Sequence, residues 1–251
     1  LVSIVTAHLN SDGTLERYFE SLLAQTSDNF EVIIADGLSG QSSIRLISDY
    51  GVRLEDRGIR LQLTSEQDSG IYDGMEKGAG LAIGQYLLFL NADDCLANPD
   101  VIKNFELAIE RRGQSDVFVG GLVSVSPDKS VVNLISQEDL DHNFDPSSVV
   151  PHPSTFIKKD VFVQVGYRLN LKYAGDLALF WDLKKAGYQF TALEFTVSIF
   201  FIGGVSTDGK KGLLIFCEYW ALYKAGYPLT KQWLFGQFIY RMFKYFKVII
   251  R

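Results

Sequence analysis

An α/β fold, with a mostly parallel sheet flanked by helices, is what this sequence predicts. Short apolar runs alternate with amphipathic stretches of about a dozen residues, the signature of βαβ units. The 251 residues suffice to bury one full core, with room for a small appendage. A content of 47% hydrophobic and 22% charged residues is ordinary for a soluble globular protein and excludes a disordered chain.

The elements follow in order. Val2–Thr6 reads as a short buried strand. Leu15, Tyr18, Phe19, Leu22 and Leu23 then recur at helical spacing, with Ser11 or Asp12 as N-cap. Phe30–Ala35 is a second strand, closed by Asp36-Gly37, and a helix near 42–50 leads to a strand at 60–64. A helix near 72–82 precedes the strand 85–90. Residues 100–112 form the next helix, with Asn98 as cap and Pro99 in its first turn. A strand at 117–121 completes the regular half. Beyond it the pattern loosens: strand at 131–135, irregular loop at 139–153, helix at 176–186, strand at 189–193. Two helices, near 212–225 and 230–250, are joined by Gly226-Tyr227-Pro228. The chain divides into a body, 1–209, and a basic aromatic tail, 210–251.

Charge separates the same two parts. The tail holds eight basic residues against the single acid Glu218, whereas the body holds 16 basic against 29 acidic residues. That asymmetry points to two different partners. An acidic body excludes a nucleic-acid binder. The tail mixes its cations with Tyr219, Trp220, Tyr223, Trp233, Phe235, Phe238, Tyr240, Phe243, Tyr245 and Phe246, without an apolar run long enough to span a bilayer. Basic amphipathic helices of this kind lie on anionic membrane surfaces. The alternative is a packed helix pair or an oligomer interface. Two distant cysteines, Cys95 and Cys217, with no zinc spacing, fit a reducing cytoplasmic setting, peripheral to the inner membrane face.

The chemistry concentrates in two acidic clusters, Asp68-Ser-Gly-Ile-Tyr-Asp73 and Asn91-Ala-Asp-Asp94. Asp93 and Asp94 fall just past a buried strand, where ligands sit in open α/β sheets. Adjacent carboxylates there are costly unless something positive binds them. Hard oxygen ligands suit Mg²⁺ or Mn²⁺, ions that arrive with phosphate groups. The alternative is a pair of capping carboxylates, a job for which Asn98 is better placed. Asp36 can accept from a ribose hydroxyl or a base N–H, or serve as a turn aspartate. Asp68 and Lys77 flank a helix N-terminus that favours phosphate, or the acids there are caps. His152 is held between Pro151 and Pro153 and is either a presented imidazole or an exposed loop histidine. Asp176 opens a helix, as N-cap or as general base.

Taken together these segments resemble the family 2 glycosyltransferases, nucleotide-sugar enzymes of the GT-A fold. Residues 2–10 and 31–39 resemble the two nucleotide-binding strands, and 68–78 with 84–94 resemble the approach to the Asp-x-Asp metal motif. Residues 151–156 and 173–176 resemble the acceptor side, and 203–206 a loop of the bacterial surface-polysaccharide branch. Asn91, Ala7 and Glu76 depart from the commoner residues of the pattern. The resemblance implies that Thr6, His8, Asn10 and Asp36 hold the nucleoside, and that Asp68, Lys77 and Ala92 line the donor. It further implies that Asp93, supported by Asp94, binds Mn²⁺ or Mg²⁺. His152 would line the donor–acceptor junction, and Asp176 would be the base of an inverting transfer. A UDP-sugar donor and a lipid-linked glycan acceptor are expected on the same ground. A nucleotidyltransferase, or a silent nucleotide-sugar-binding module, are the competing readings; no Gly-rich activation loop supports the first.

Overall fold

The computed structural model describes residues 1–142, 144, 150–202 and 211–249, with side chains of the last helix described as far as Arg241. The 203–206 loop therefore lies outside the described residues. Among the described residues nine strands join in one sheet, in the order β3-β2-β1-β4-β8-β6-β9-β5, with β7 paired to β6.

The first half follows the expected alternation. β1 (Val2–His8), α1 (Asp12–Leu23), β2 (Phe30–Asp36), α2 (Gln41–Glu55), β3 (Leu61–Ser65), α3 (Ile71–Leu81) and β4 (Tyr86–Phe89) succeed one another. β3, β2, β1 and β4 are parallel neighbours. Both faces of these strands are covered, which is why they read as continuous apolar runs. The period-2 alternation divides them cleanly. Val2, Ile4, Val32, Ile34 and Leu88 join the core cluster that contains Leu15, Phe19 and Ile47 of α1 and α2. Val5, Ile33, Leu87 and Phe89 join the opposite cluster, with Met75 and Ala79 of α3.

The second half is mixed. β5 (Cys95–Leu96), α4 (Val101–Arg112), β6 (Val117–Val125), β7 (Ser130–Asn133) and α5 (Gln137–His142) come first. A 3₁₀ turn at His152–Ser154 then leads into β8 (Thr155–Lys158), α6 (Lys159–Val165), α7 (Gly175–Lys185) and β9 (Phe190–Phe201). β8 runs antiparallel to both β4 and β6, while β6 and β9 are parallel. Several features depart from expectation, among them the short strand β5 and the helix α5, which occupies residues 139–142 of the expected irregular loop. β8 and α6 were not anticipated, because four residues are too few to show a period. β9 continues to Phe201, far past residue 193. Asn98 does not cap α4; its Oδ1 accepts the N–H of Asp100 (2.9 Å), the residue just before the helix begins.

α8 (Gly212–Lys224) and α9 (Lys231–Ile249) form the tail. Leu222, Leu229 and Leu234 pack with Leu171, Ala174, Leu177 and Ala178, so the tail sits on α7 and the segment before it.

Candidate functional site

The C-terminal ends of β1, β2 and β3 and the segment that follows β4 bring the expected polar residues to one edge of the sheet. The register sets His8 beside Asp36, and Asp36 beside Ser65. Asp36 is buried; its Oδ2 accepts the Ser39 N–H (3.0 Å) and the Ser65 hydroxyl (2.6 Å). Burial pushes this carboxyl up, but the Ser39 and Ser65 bonds outweigh it and hold the group below its ordinary range. The Oδ1 atom has no protein partner and lies 4.0 Å from His8 Nε2. Neither ring nitrogen of His8 has a partner, although the side chain is buried. Burial lowers the His8 pKa against the opposing pull of Asp36, which favours the neutral imidazole. Unpaired buried polar atoms are costly. A neutral ring beside an open carboxylate oxygen can meet the donors and acceptors of a planar base.

Asn10 and Asp68 frame this corner. Asn10 has φ 49°, and its Oδ1 accepts the Gly40 N–H (3.0 Å), tying the β1 loop to the β2 loop. Asp68 Oδ1 accepts the Gly70 N–H (3.0 Å). Its Oδ2 abuts Gly37, where a Cβ would lie only 2.6 Å away, so a side chain there would displace the Asp68 carboxylate.

The 91–94 segment forms a tight turn, the Asp94 N–H donating to the Asn91 carbonyl (3.0 Å). Arg17 donates to the Asp93 carbonyl (2.7 Å), and its guanidinium covers the Phe201 ring at 3.5 Å. Burial raises the pKa of the Asp93 carboxyl. Asp94 is fully buried. Its Oδ2 accepts from Asn91 Nδ2 (3.0 Å) and its Oδ1 from the Phe201 N–H (3.3 Å). Burial, reinforced by the Asp93 charge, pushes this carboxyl up to about 7. The orphaned oxygen of the turn is Asn91 Oδ1. The open oxygens are thus those of Asp93 and Asn91, a hard-donor set that fits Mg²⁺ or Mn²⁺ completed by a ligand's phosphates. Among the described residues no three His, Cys, Asp or Glu side chains gather as a metal cluster.

Three expected contacts are corrected, and a fourth residue has partners within the protein. Thr6 is 0% exposed; its hydroxyl donates to the Leu90 carbonyl and meets the Tyr18 hydroxyl, both at 2.7 Å. It braces the entry to the 91–94 turn rather than touching a nucleoside. Ala92 turns its methyl into the core beside Leu90 and Leu96. Asp94 orients Asn91 and anchors Phe201, so it is not an open metal ligand. Lys77 donates to the Gln67 carbonyl (2.7 Å) and lies near the carboxylates of Glu66 (3.6 Å) and Asp73 (3.7 Å).

On the second side, Asp176 lies in the first turn of α7. Its Oδ1 accepts the Tyr72 hydroxyl (3.1 Å) and the Leu177 N–H (2.8 Å). Tyr72 packs so closely that a Cβ on Gly175 would sit 2.6 Å from its ring. The Tyr72 and Tyr167 rings meet at 4.9 Å, and the Tyr167 hydroxyl bonds His152 Nε2 (2.6 Å). His152 is therefore no exposed loop residue. It stacks on Phe89 at 5.7 Å, and burial lowers its pKa while the Asp176 charge raises it. Glu76 accepts the Tyr167 N–H, and burial pushes its carboxyl up. Tyr72, Tyr167 and Arg17 belong to the site without having been expected there. Tyr72 stood inside the quoted acidic cluster; the other two carry no local signal.

The model of the family described as glycosyl transferase family 2 matches residues 3–162. The chain belongs to that family. A PGL/p-HBAD biosynthesis glycosyltransferase of Mycobacterium bovis is 28% identical over 183 residues, covering 72% of this chain and 67% of the relative. Among solved structures, Staphylococcus aureus TarS 1–349 in complex with UDP-GlcNAc superposes with a TM-score of 0.68 at 16% identity, covering 98% of this chain and 72% of the other. The mannosyltransferase PcManGT from Pyrobaculum calidifontis, in complex with GDP-Man and Mn²⁺, gives 0.66 at 15% identity, covering 96% and 69%. The fold of this family 2 transferase is the GT-A type, a mixed α/β sheet flanked by helices.

Proposed function

We propose that this chain transfers a sugar from a nucleoside diphosphate donor, most simply a UDP-sugar, to a glycan hydroxyl with inversion at the anomeric carbon. The reading is supported above all by the unpartnered His8 nitrogens, Asp36 Oδ1 and Asn91 Oδ1, all gathered at the ends of adjacent strands. His8 and Asp36 hold the base and ribose, with Asn10 and Asp68 at the rim. Asp93 and Asn91 would hold a divalent cation, which would supply Lewis-acid stabilisation of the charge on the departing diphosphate. Asp176 takes the proton from the acceptor hydroxyl as that oxygen bonds to C1 and the C1–O bond to the diphosphate breaks. Tyr72 fixes the Asp176 carboxylate, and His152 lines the junction of donor and acceptor.

The acceptor is a lipid-linked glycan of the cell surface, reached from the cytoplasmic membrane face. Trp220, Phe235, Ile239 and Tyr240 of the tail are exposed while the opposite side packs on α7, an arrangement that suits lying on an anionic bilayer. No described helix is long and apolar enough to cross a membrane. A thermal-shift panel of UDP-glucose, UDP-GlcNAc and GDP-mannose, each with Mn²⁺ or with EDTA, tests the donor assignment. One nucleotide sugar should raise the melting temperature, and only with the metal. Equal, metal-independent curves for all three contradict it.

A further inference from the structure

The single acid of the basic tail sits in an unexpected place. Glu218 lies half-buried on α8. Its Oε1 accepts the Lys172 N–H (2.8 Å), and its Oε2 accepts the N–H groups of Tyr173 (2.8 Å) and Ala174 (2.9 Å). These are the three residues directly ahead of α7, and Asp176 is the second residue of that helix. Hydrogen bonds to an ionised acceptor are the strong ones. Three of them, shared over both oxygens, restrain position and rotation of the segment together. Leu222 continues the contact from the same helix, packing with Ala174, Leu177 and Ala178. From the other side the Tyr72 ring presses on Gly175 and its hydroxyl reaches Asp176. The first turn of α7 is thus gripped between α3 and α8. Tyr219, next to Glu218, is also electrostatically close to the site: burial raises its phenol pKa and the Asp176 charge adds to the rise, against the pull of Arg241.

We infer that Glu218 is a positioning residue for the Asp176 base, so that the tail sets the geometry of transfer as well as serving as a surface. The inference rests on the assignment of Asp176 given above. Misplacing a reacting group by about 1 Å can lower turnover by about 10²-fold. Binding of the nucleotide, carried by the strand ends on the other side of the site, should not follow. A residue that merely stabilised the fold would lower both together.

The test uses the full chain, with UDP as binding probe and nucleoside diphosphate release from the panel-selected donor as turnover. Glu218→Gln should cut kcat by about 10- to 10²-fold, leaving the UDP Kd and the donor KM within about twofold. Glu218→Asp, whose shorter side chain keeps the charge, should recover part of the loss. Leu222→Ala controls for loosened packing, since it weakens the tail contact but keeps the carboxylate. Wild-type kcat in Glu218→Gln overturns the inference. So does a loss in Glu218→Gln that tracks melting temperature and UDP affinity on the same line as Leu222→Ala. Asp176→Asn serves as the reference. If that variant keeps full turnover, the base assignment itself has failed, whatever Glu218 does.

Discussion

The two edges of this site are built differently. The edge carrying His8, Asp36 and Asp93 comes from the parallel strands of the first half and the turns that directly follow them. The edge carrying Asp176, Tyr72, His152 and Tyr167 is assembled from α3, α7 and the turn before β8, with Glu218 reaching in from the tail. The first edge is set by the sheet, because a residue at the end of a parallel strand is placed by the ladder itself. The second depends on side chains bridging elements far apart in sequence. Binding should therefore be robust to changes in the tail, and turnover should not.

Predictions that strain this contrast begin with Asp93. Asp93→Asn removes the open carboxylate of the turn without touching the Asn91–Asp94 pair. Since a cation on the leaving diphosphate is worth several kcal/mol, kcat/KM should fall by at least about 10²-fold and lose its response to added Mn²⁺. Steady-state assays over a Mn²⁺ series check this. On the same edge, Asp36→Ala removes a buried charged acceptor. Bonds of that type contribute about 1.5–3 kcal/mol, so UDP should bind about 10- to 10²-fold more weakly while kcat at saturating donor stays close to wild type. Calorimetric titration with UDP measures it.

A smaller effect is expected at the outer face of the tail. Phe235 is 66% exposed. Burying such a ring is worth about 1.5–3 kcal/mol. Phe235→Ser should therefore reduce co-sedimentation with phosphatidylserine-containing liposomes by about tenfold or more, with nucleoside diphosphate release in solution unchanged. Undiminished sedimentation points instead to a packing role for that face.

The smallest effect is on stability against pH. His8 and His152 both have folded-state pKa values lowered by burial. Below about pH 6.5 the unfolded chain takes up protons that the folded chain resists. Their contribution is thus complete above that pH and is lost as the pH falls through the folded values, by at most about 1.4 kcal/mol per pH unit for each histidine. Asp94, whose folded-state carboxyl is pushed up to about 7, acts with the opposite sign and adds stability as the pH falls. Urea unfolding between pH 8 and 5 therefore reads the histidine part as a difference: His152→Phe, which keeps a ring against Phe89, should gain stability relative to wild type as the pH falls, and a constant difference contradicts this.

Much of the first edge could be read from the chain alone. Asp36 and the 91–94 turn each follow an apolar run, and a run of that kind announces both a parallel strand and its end. What failed there failed at the level of facing. Thr6 lies in a strand that is covered on both sides, so its hydroxyl turns inward to Leu90 and Tyr18. Asp94 is buried with a partner on each oxygen, whereas its neighbour Asp93 keeps its carboxylate open, a difference no local pattern carries. Asn98 bonds a backbone N–H two residues on instead of capping α4, and Lys77 reaches a carbonyl ten residues back. The second edge was less legible. Asp176 was visible as a helix-opening acid, yet Tyr72 lies 104 residues earlier and Tyr167 meets His152 across 15. β8 is too short to show alternation, and β9 continues because its partner β6 continues, a property of the pair. Glu218 stood out by charge, as the one acid among the tail's cations, but no pattern revealed which amides it serves.

The division of labour between the two edges is tested most directly by titrating UDP, with Mn²⁺ present, into Asp176→Asn and Asp36→Ala while following donor turnover of each. Asp176→Asn should keep wild-type UDP affinity and lose turnover by about 10²- to 10⁴-fold, and Asp36→Ala should do the reverse. If affinity and turnover fall together in both variants, the edges do not have separate tasks and the assignment of Asp176 as the base is wrong.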